Sequence, residues 1–478
     1  MSGQHLQNEP YVVPKRVEAS RKVAFDALMA VETQDAYANL ALPPLISRAH
    51  LGRRDAAFAT ELTYGTLRKQ RRIDWVVSQN LKRSLADLDA PVRVILRLCA
   101  HQILHLRVPD HAAVSEGVEL AKHECDRGAE KFVNGVLRSI VDHSVGEWDR
   151  RISAIKDNAQ RVSVEYSHPE WMVRQFATAL AAHGRDPREL TELLEVNNAN
   201  PWVTLCARPG MILPGDLADI AVQALRCEVR PGDYSEWSVV LSAGDPGRLE
   251  PVREGIAAVQ DEGSQLVATA FAETPVPDGG SDFAWLDQCA GPGGKAGLLA
   301  AFARESGAHL VANEVAAHRA RLVENTLRPF SNVDVVVGDG REVSARGQFD
   351  RILLDAPCTG LGSLRRRPES RWRRQVSDLE SLVQLQAQLI DEALRALRPG
   401  GILGYVTCSP VKQETTDQIR RVAKQPGVRV LNAAAAVREV SMSDIELTPV
   451  QIGDGNVIQL WPHVHDTDAM FLAILTKE

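Results

Sequence analysis

The chain has 478 residues, of which 44% are hydrophobic and 24% charged, with a formal net charge of −7. That length exceeds one ordinary domain and implies two or three, each with enough apolar residues for a real core. The negative balance excludes a uniformly basic nucleic-acid binder, so any contact to an anionic polymer must come from local patches.

The first sixteen residues are polar and mixed, with no apolar centre for a signal peptide, and no run approaches membrane-spanning length. The seven cysteines, Cys99, Cys125, Cys206, Cys227, Cys289, Cys358 and Cys408, are odd in number and dispersed, with no Cys-x-x-Cys pair. They fit neither a disulfide framework nor a zinc ribbon, and free thiols point to a reducing cytosol. A cytoplasmic protein without membrane association is expected, with Cys99, Cys125, Cys206 and Cys227 as small core residues.

Residues from about 16 to 142 read as all helix. Across 91–107, Val92, Ile95, Leu96, Cys99, Ile103 and Leu106 recur at three- and four-residue steps and form one buried stripe. Pro109-Asp110 starts the next helix. His101 and His105 stand one turn apart but lack a Glu, Asp or Cys partner at ligand spacing, so they read as structural and no metal is expected. Arg68, Lys69, Arg71 and Arg72 form a basic cluster in this helical region, either a solvated face or an RNA contact. From about 149 to 250 the pattern weakens: helices over 170–183 and 187–196 precede short strands at 202–206 and 238–241, punctuated by Pro and Gly.

From about residue 254 strands and helices alternate, which predicts a parallel, doubly wound sheet. The strands are expected at 284–287, 309–313, 333–337, 351–354 and 402–406. A helix follows Ser377, with Ser377-x-x-Glu380 as its capping box, and Pro399-Gly400-Gly401 ends it.

The first of these strands runs into Cys289-Ala290-Gly291-Pro292-Gly293-Gly294-Lys295. Glycines there let a ligand approach the backbone at the strand's carboxyl end. Glu314 ends the second strand, where an acid can bind ribose hydroxyls, and Asp339 ends the third, within reach of an adenine amine. Lys295 is followed by Ala296, not Ser or Thr, and Gly-x-Gly-x-x-Gly is missing from this loop. S-adenosylmethionine, with ribose and adenine but no phosphates, therefore fits better than ATP or NAD.

Asp355-Ala356-Pro357-Cys358 follows the fourth strand and Thr407-Cys408-Ser409-Pro410 the fifth. Carbon C5 of a pyrimidine is a poor nucleophile until something adds to C6, and a thiolate at Cys408 or Cys358 can make that addition. Asp355, if protonated, can donate to N3 as charge builds on the ring. Beyond Cys358, six arginines and a tryptophan fall within ten residues, 365–374. Of these, Arg365, Arg366, Arg367, Arg371 and Trp372 are candidates for phosphate contact and base stacking, against the alternative of a solvated charged loop.

These residues make the C-terminal part resemble the RNA cytosine-5 methyltransferases of the Sun/Nol1/Nop2 family. The N-terminal part resembles the helical RNA-binding domain of the antitermination factor NusB, through Asp55-Ala56-Ala57-Phe58-Ala59-Thr60-Glu61-Leu62-Thr63-Tyr64-Gly65, Val108-Pro109-Asp110-His111-Ala112 and Phe132-Val133-Asn134-Gly135-Val136-Leu137-Arg138. The resemblance covers nearly the whole chain, least between about 200 and 250. It implies an all-α NusB-like domain (16–145), a small α+β RNA-positioning region (146–252) and an α/β Rossmann-like methyltransferase domain (253–478).

The resemblance further implies Cys408 as the nucleophile, Cys358 as the residue needed for elimination, and Asp355 as a contact to both N3 and the cofactor region. Residues 289–295, Glu314 and Asp339 become the S-adenosylmethionine contacts. The implied partner is RNA, 16S ribosomal RNA above all, bound by a monomer. The same chemistry on transfer RNA, or a non-catalytic RNA-binding assembly factor, are the alternatives. This sequence departs from the family pattern at Ala296 (usually Thr), Gly291 (commonly Ala), Asp468-Ala469-Met470-Phe471 (usually Asp-Gly-Phe-Phe) and Leu205-Cys206-Ala207, which replaces a Leu-Arg-Val-Asn-like strand.

Overall fold

The computed structural model describes residues 11–14 and 16–478; the expectation drawn from the extreme N-terminus lies largely outside them. The chain forms two compact units. One runs to Arg174 and also takes in Arg366–Arg373; the other holds Gln175–Arg365 and Arg374–Glu478. Among the described residues, no helix is long and apolar enough to cross a membrane.

The first unit is helical. Its longest helix, Arg53–Ser78, buries Leu62, Ile73, Val76 and Val77 against Ala90–His105, whose stripe includes Val92, Ile95, Leu96 and Cys99. Pro91 sits in the first turn of that second helix, where its missing N–H costs nothing. Val145–Ser153 is held by a capping box: the Glu147 carboxylate accepts from the Ser144 N–H at 2.8 Å, and the Ser144 hydroxyl accepts from the Glu147 N–H at 3.3 Å.

The arginine-rich segment belongs to this unit and corrects its reading as a phosphate-binding loop. Arg371 is completely buried and donates to the carbonyls of Arg68 and Ser167 at 3.1 and 3.2 Å. The Trp372 indole N–H donates to the Leu67 carbonyl at 2.9 Å, and the Glu369 carboxylate accepts from the Ala38 N–H at 3.3 Å. Arg68 is itself buried, with its guanidinium 5.4 Å from the Tyr64 ring. Arg365, in the other unit, is buried against Asp466, donating to its carboxylate and to its carbonyl. A carbonyl has two lone pairs, so the helical carbonyls of Leu67 and Arg68 can take these donors as well, while Ser167 and Asp466 offer theirs from turns. Arg367 is exposed, over the Tyr37 ring, and Lys69, Arg71, Arg72 and Arg366 are half-buried, Arg72 in an ion pair with Asp149.

The second unit carries two sheets. Strands β1 (Val203–Ala207), β2 (Val229–Pro231), β3 (Ser238–Leu241) and β4 (Ala257–Val259) form an antiparallel sheet in the order β2-β3-β1-β4. Leu205, Ala207, Val239 and Leu241 pack there against Leu217, Ala221 and Leu225 of the helix Pro214–Leu225.

The larger sheet contains β5 (Ala284–Asp287), β6 (His309–Glu314), β7 (Val333–Val337), β8 (Phe349–Asp355), β9 (Leu397–Thr407), β10 (Val428–Val430), β11 (Val450–Ile452), β12 (Gly455–Gln459) and β13 (Phe471–Lys477). Its order is β11-β12-β13-β9-β8-β5-β6-β7, with β10 also on β13. Strands β5 to β9 are parallel, as expected, but β13 lies antiparallel beside β9, so the sheet is mixed. The helix Val376–Ala396 starts one residue before Ser377 and is capped elsewhere than expected. Gln375 is the extended residue at its start, and the Asp378 carboxylate accepts the Gln375 N–H at 2.9 Å. The helix ends at Ala396, and Pro399-Gly400-Gly401 falls inside β9 as a local irregularity in its pairing with β8.

The buried guanidinium gives a stability prediction. Arg371→Met leaves two enclosed carbonyls without that donor, and a lost buried partner costs about 1–3 kcal/mol. Denaturant unfolding is expected to show a loss of about 2 kcal/mol or more. An unchanged midpoint together with weaker, less salt-dependent RNA binding would restore the phosphate-contact role.

Candidate active site

Strand β5 has β6 on one side and β8 on the other, so the connections leaving it diverge and open a crevice at the carboxyl ends of the strands. The glycine loop leaves β5 into this crevice and becomes the N-terminus of the helix Gly294–Glu305. Gly293 precedes that helix with φ at +115°, a conformation only glycine adopts readily. At Gly291 a Cβ would fall 2.1 Å from the Glu314 Oε2, so the missing side chain lets the loop close onto the acid.

Glu314 is buried at the end of β6. Its oxygens accept from the Gly291 and Ala316 N–H groups at 3.1 and 3.0 Å, and Arg319 lies 3.4 Å away. Asp339 caps the turn after β7 and is bound by Arg341, whose charge-assisted hydrogen bonds hold its carboxyl below the usual range. Two residues outside the sequence reading lock these loops together. Asn313 donates to the carbonyls of Gln288 and Gly338 at 3.0 and 3.1 Å, and the Gln288 amide donates to those of Gly340 and Leu389 at 2.8 and 3.0 Å. The half-buried Cys289 and the buried Ala290 complete the loop.

Lys295 reaches from the loop to the end of β8, where its ammonium lies 2.9 Å from the Asp355 carboxylate. The ammonium is desolvated, yet the Asp355 charge outweighs that effect and raises its pKa. Asp287, at the end of β5, is fully enclosed, and neither carboxyl oxygen has a full hydrogen-bond partner. Burial first, and then the charge of Asp355, push it up to about 8. It had no distinguishing signal in the sequence beyond its place before the loop.

The two cysteines converge from different strands. Parallel pairing sets Asp355 beside Val406, so the turns beyond β8 and β9 emerge together. The Cys358 and Cys408 sulfurs lie 3.4 Å apart, both in half-buried residues. The hydrogen bond to Cys408, reinforced by burial, drives the Cys358 thiol well above its ordinary value. One sulfur of the pair thus keeps the proton while the other accepts it.

Comparison with known proteins identifies the family. Residues 277–476 match the family described as 16S rRNA methyltransferase RsmB/F, and residues 18–142 match the NusB family. The ribosomal RNA small subunit methyltransferase B of Salmonella paratyphi B is 30% identical, with 97% of this chain and 100% of that protein aligned. The chain belongs to the RsmB/F family of rRNA methyltransferases.

A Mycobacterium tuberculosis protein named as a methyltransferase is 43% identical over 97% of this chain and 98% of its own. The crystal structure of PH0851 shares the fold, with a TM-score of 0.79 at 20% identity over 98% of this chain and 100% of that one. A methyltransferase homologue from Pyrococcus horikoshii superposes with a TM-score of 0.54 at 21% identity, over 68% of this chain and 100% of its own. The residues present fit the methyl donor of an RNA methyltransferase of this kind. The loop backbone is open at Gly294, and Glu314 is a carboxylate fixed at the strand end where a ribose would lie.

Asp287 makes stability depend on pH. The folded protein holds its proton up to about pH 8, while an unfolded chain releases it near 3.8. Between those values the folded state binds more protons, so this group's contribution falls as pH rises. Asp287→Asn is therefore expected to raise the melting temperature relative to the native chain, by an amount that grows from about pH 4 to about pH 8 and then levels off. A difference independent of pH over that window would mean that the folded carboxyl is already ionised.

Proposed function

We propose that the protein methylates C5 of a cytosine in ribosomal RNA, specifically 16S ribosomal RNA, through a covalent adduct between Cys408 and C6. The observation that carries this reading is the sulfur pair: two thiols from separate strand ends, 3.4 Å apart, with the Cys358 thiol driven above its ordinary value by the bond to Cys408 and by burial. A scaffold protein has no need of that arrangement. The small-subunit activity named for the Salmonella relative supports the choice of RNA.

S-adenosylmethionine, when bound against the glycine loop, supplies an electrophilic methyl that an activated C5 can take. The chain supplies the activation. Cys408, as thiolate, adds to C6 and forms the C–S bond, and the ring electrons move toward N3 and C5. Asp355, hydrogen-bonded to the Lys295 ammonium, can pass a proton from it to N3 as that charge develops. Once C5 carries the methyl group, its proton must leave so that the C6–S bond can break and return Cys408 as thiolate. Cys358, beside that sulfur, is the group we assign to this elimination: as a thiol it hydrogen-bonds the departing sulfur, solvent water takes the C5 proton, and the N3 proton returns to the Asp355–Lys295 pair. Residues 289–295, Glu314 and Asp339 would hold the donor, the two carboxylates accepting from its ribose hydroxyls and adenine amine.

The cysteines should fail differently. Cys408→Ala is expected to abolish methylation and any covalent RNA adduct, because addition comes first. Cys358→Ala is expected to permit addition and block release, so that an adduct accumulates on a denaturing gel with labelled RNA and S-adenosylmethionine. An adduct with Cys408→Ala and none with Cys358→Ala would reverse the two roles. Full activity in both variants would end the covalent mechanism. Bisulfite sequencing of ribosomal and transfer RNA, with and without the gene, identifies the substrate.

A further inference from the structure

The residue after each cysteine leads to the same carboxylate. Glu414 lies in the short 3-10 turn Lys412–Glu414 and is wholly buried. Its Oε1 accepts from the Thr359 N–H at 2.8 Å and from the Gln386 amide at 3.1 Å. Its Oε2 accepts from the Thr359 hydroxyl at 2.5 Å and the Ser409 hydroxyl at 2.6 Å. Thr359 follows Cys358 and Ser409 follows Cys408, and their hydroxyls are 3.2 Å apart.

The surroundings hold the carboxylate as firmly as it holds the loops. Gln386 also donates to the Pro357 carbonyl at 2.8 Å, and the buried Tyr405 hydroxyl donates to the Glu414 carbonyl at 2.7 Å. Four neutral donors converge on one buried carboxylate, and hydrogen bonds to a charged acceptor are about twice as strong as neutral ones. Losing the acceptor would remove the shared partner of all four and leave the Thr359 N–H enclosed without its acceptor. Such an expensive group in a turn outside both cysteine motifs calls for an explanation in the geometry it imposes.

We propose that Glu414 is the positioning residue that fixes the separation of the two sulfurs, by tying the turn after β8 to the turn after β9. This rests on the assignment of Cys358 and Cys408 as the working pair. Glu414 touches neither RNA nor donor in this role; it acts through Thr359 and Ser409. A displacement of about 1 Å at a reacting group can cost about 10²-fold in rate, which is the scale of effect the tie would protect. The negative charge it places near Cys358 adds to the stronger effects of the Cys408 hydrogen bond and burial in keeping that thiol protonated.

The test uses the full-length protein and two readouts. The first is methylation kinetics. The second is the rate at which diamide, a two-electron oxidant, converts the two thiols into a Cys358–Cys408 disulfide, mapped by mass spectrometry; each thiol loses a proton and diamide is reduced to the hydrazine. Glu414→Ala is expected to lower kcat by about 10²-fold, with KM for S-adenosylmethionine and RNA unchanged, and to change the disulfide rate. Glu414→Gln should recover most of both, because the Thr359 and Ser409 hydroxyls can rotate to accept from the amide. If Glu414→Ala does not fold, Ser409→Ala and Thr359→Val each remove one tether, and about tenfold losses in kcat are expected. Folded variants with native kcat and native disulfide rate overturn the proposal. So does equal loss of kcat in the Ala and Gln variants at a native disulfide rate, which would assign the effect to charge. A changed disulfide rate alongside full activity in both cysteine-to-alanine variants would leave the tie intact and remove the covalent mechanism instead.

Discussion

Everything at the site depends on the parallel pairing of β8 with β9. Fifty residues separate Cys358 from Cys408, and a parallel pair requires a crossover of this kind between its strands. The register that sets Leu354 beside Tyr405 and Asp355 beside Val406 delivers both turns to one edge of the crevice. Sliding either strand by one residue would turn the flanking side chains to the opposite face of the sheet. The antiparallel β13, paired with β9 from Ile402 to Thr407, covers the other flank and resists that slip. Packing of Leu353, Val406 and Leu472 into one apolar core ties the register to the stability of the whole unit.

Buried polar groups then divide into two kinds. Glu414 is saturated by neutral donors on both oxygens, and Arg371 donates from one terminal nitrogen to the carbonyls of Arg68 and Ser167, so both tie separate backbone segments together. Asp287 is enclosed without such partners and keeps its proton instead, as desolvation dictates for an isolated carboxyl. Saturated groups of this type specify a geometry. An unsaturated one beside a crevice marks where stability has been given up, and natural sequences break local rules chiefly at functional positions.

Much of this was legible before the structure. Strands β5 and β7 fall where the apolar runs place them, and the glycine loop, Glu314 and Asp339 stand at successive strand ends because strand-helix alternation fixes that order. Two things defeated the reading. Composition cannot tell an exposed cation from one that fills carbonyls, so Arg365 and Arg371 looked like phosphate ligands although both are buried. Local polarity likewise hid Glu414: Lys412-Gln413-Glu414-Thr415-Thr416 has the composition of a solvent loop, and only convergence from residues 359, 386 and 409 encloses it. The strand Phe471–Lys477 was not among the expected ones, and its antiparallel sense is what a sequence pattern does not supply.

The Lys295–Asp355 pair connects the two halves of the crevice. Lys295 belongs to the glycine loop after β5, while Asp355 opens the turn that carries Cys358, so one ion pair spans the switch point of the sheet. Such a pair is costly to bury, and removing one partner strands the other charge, which makes it weak as a stabiliser and strong as a constraint. Replacing Lys295 would leave Asp355 and Asp287 as neighbouring carboxyls without their shared cation, since that ammonium is what lowers Asp287 against the push of burial. The donor loop and the cysteine turn are therefore electrostatically one site, although they come from different strands.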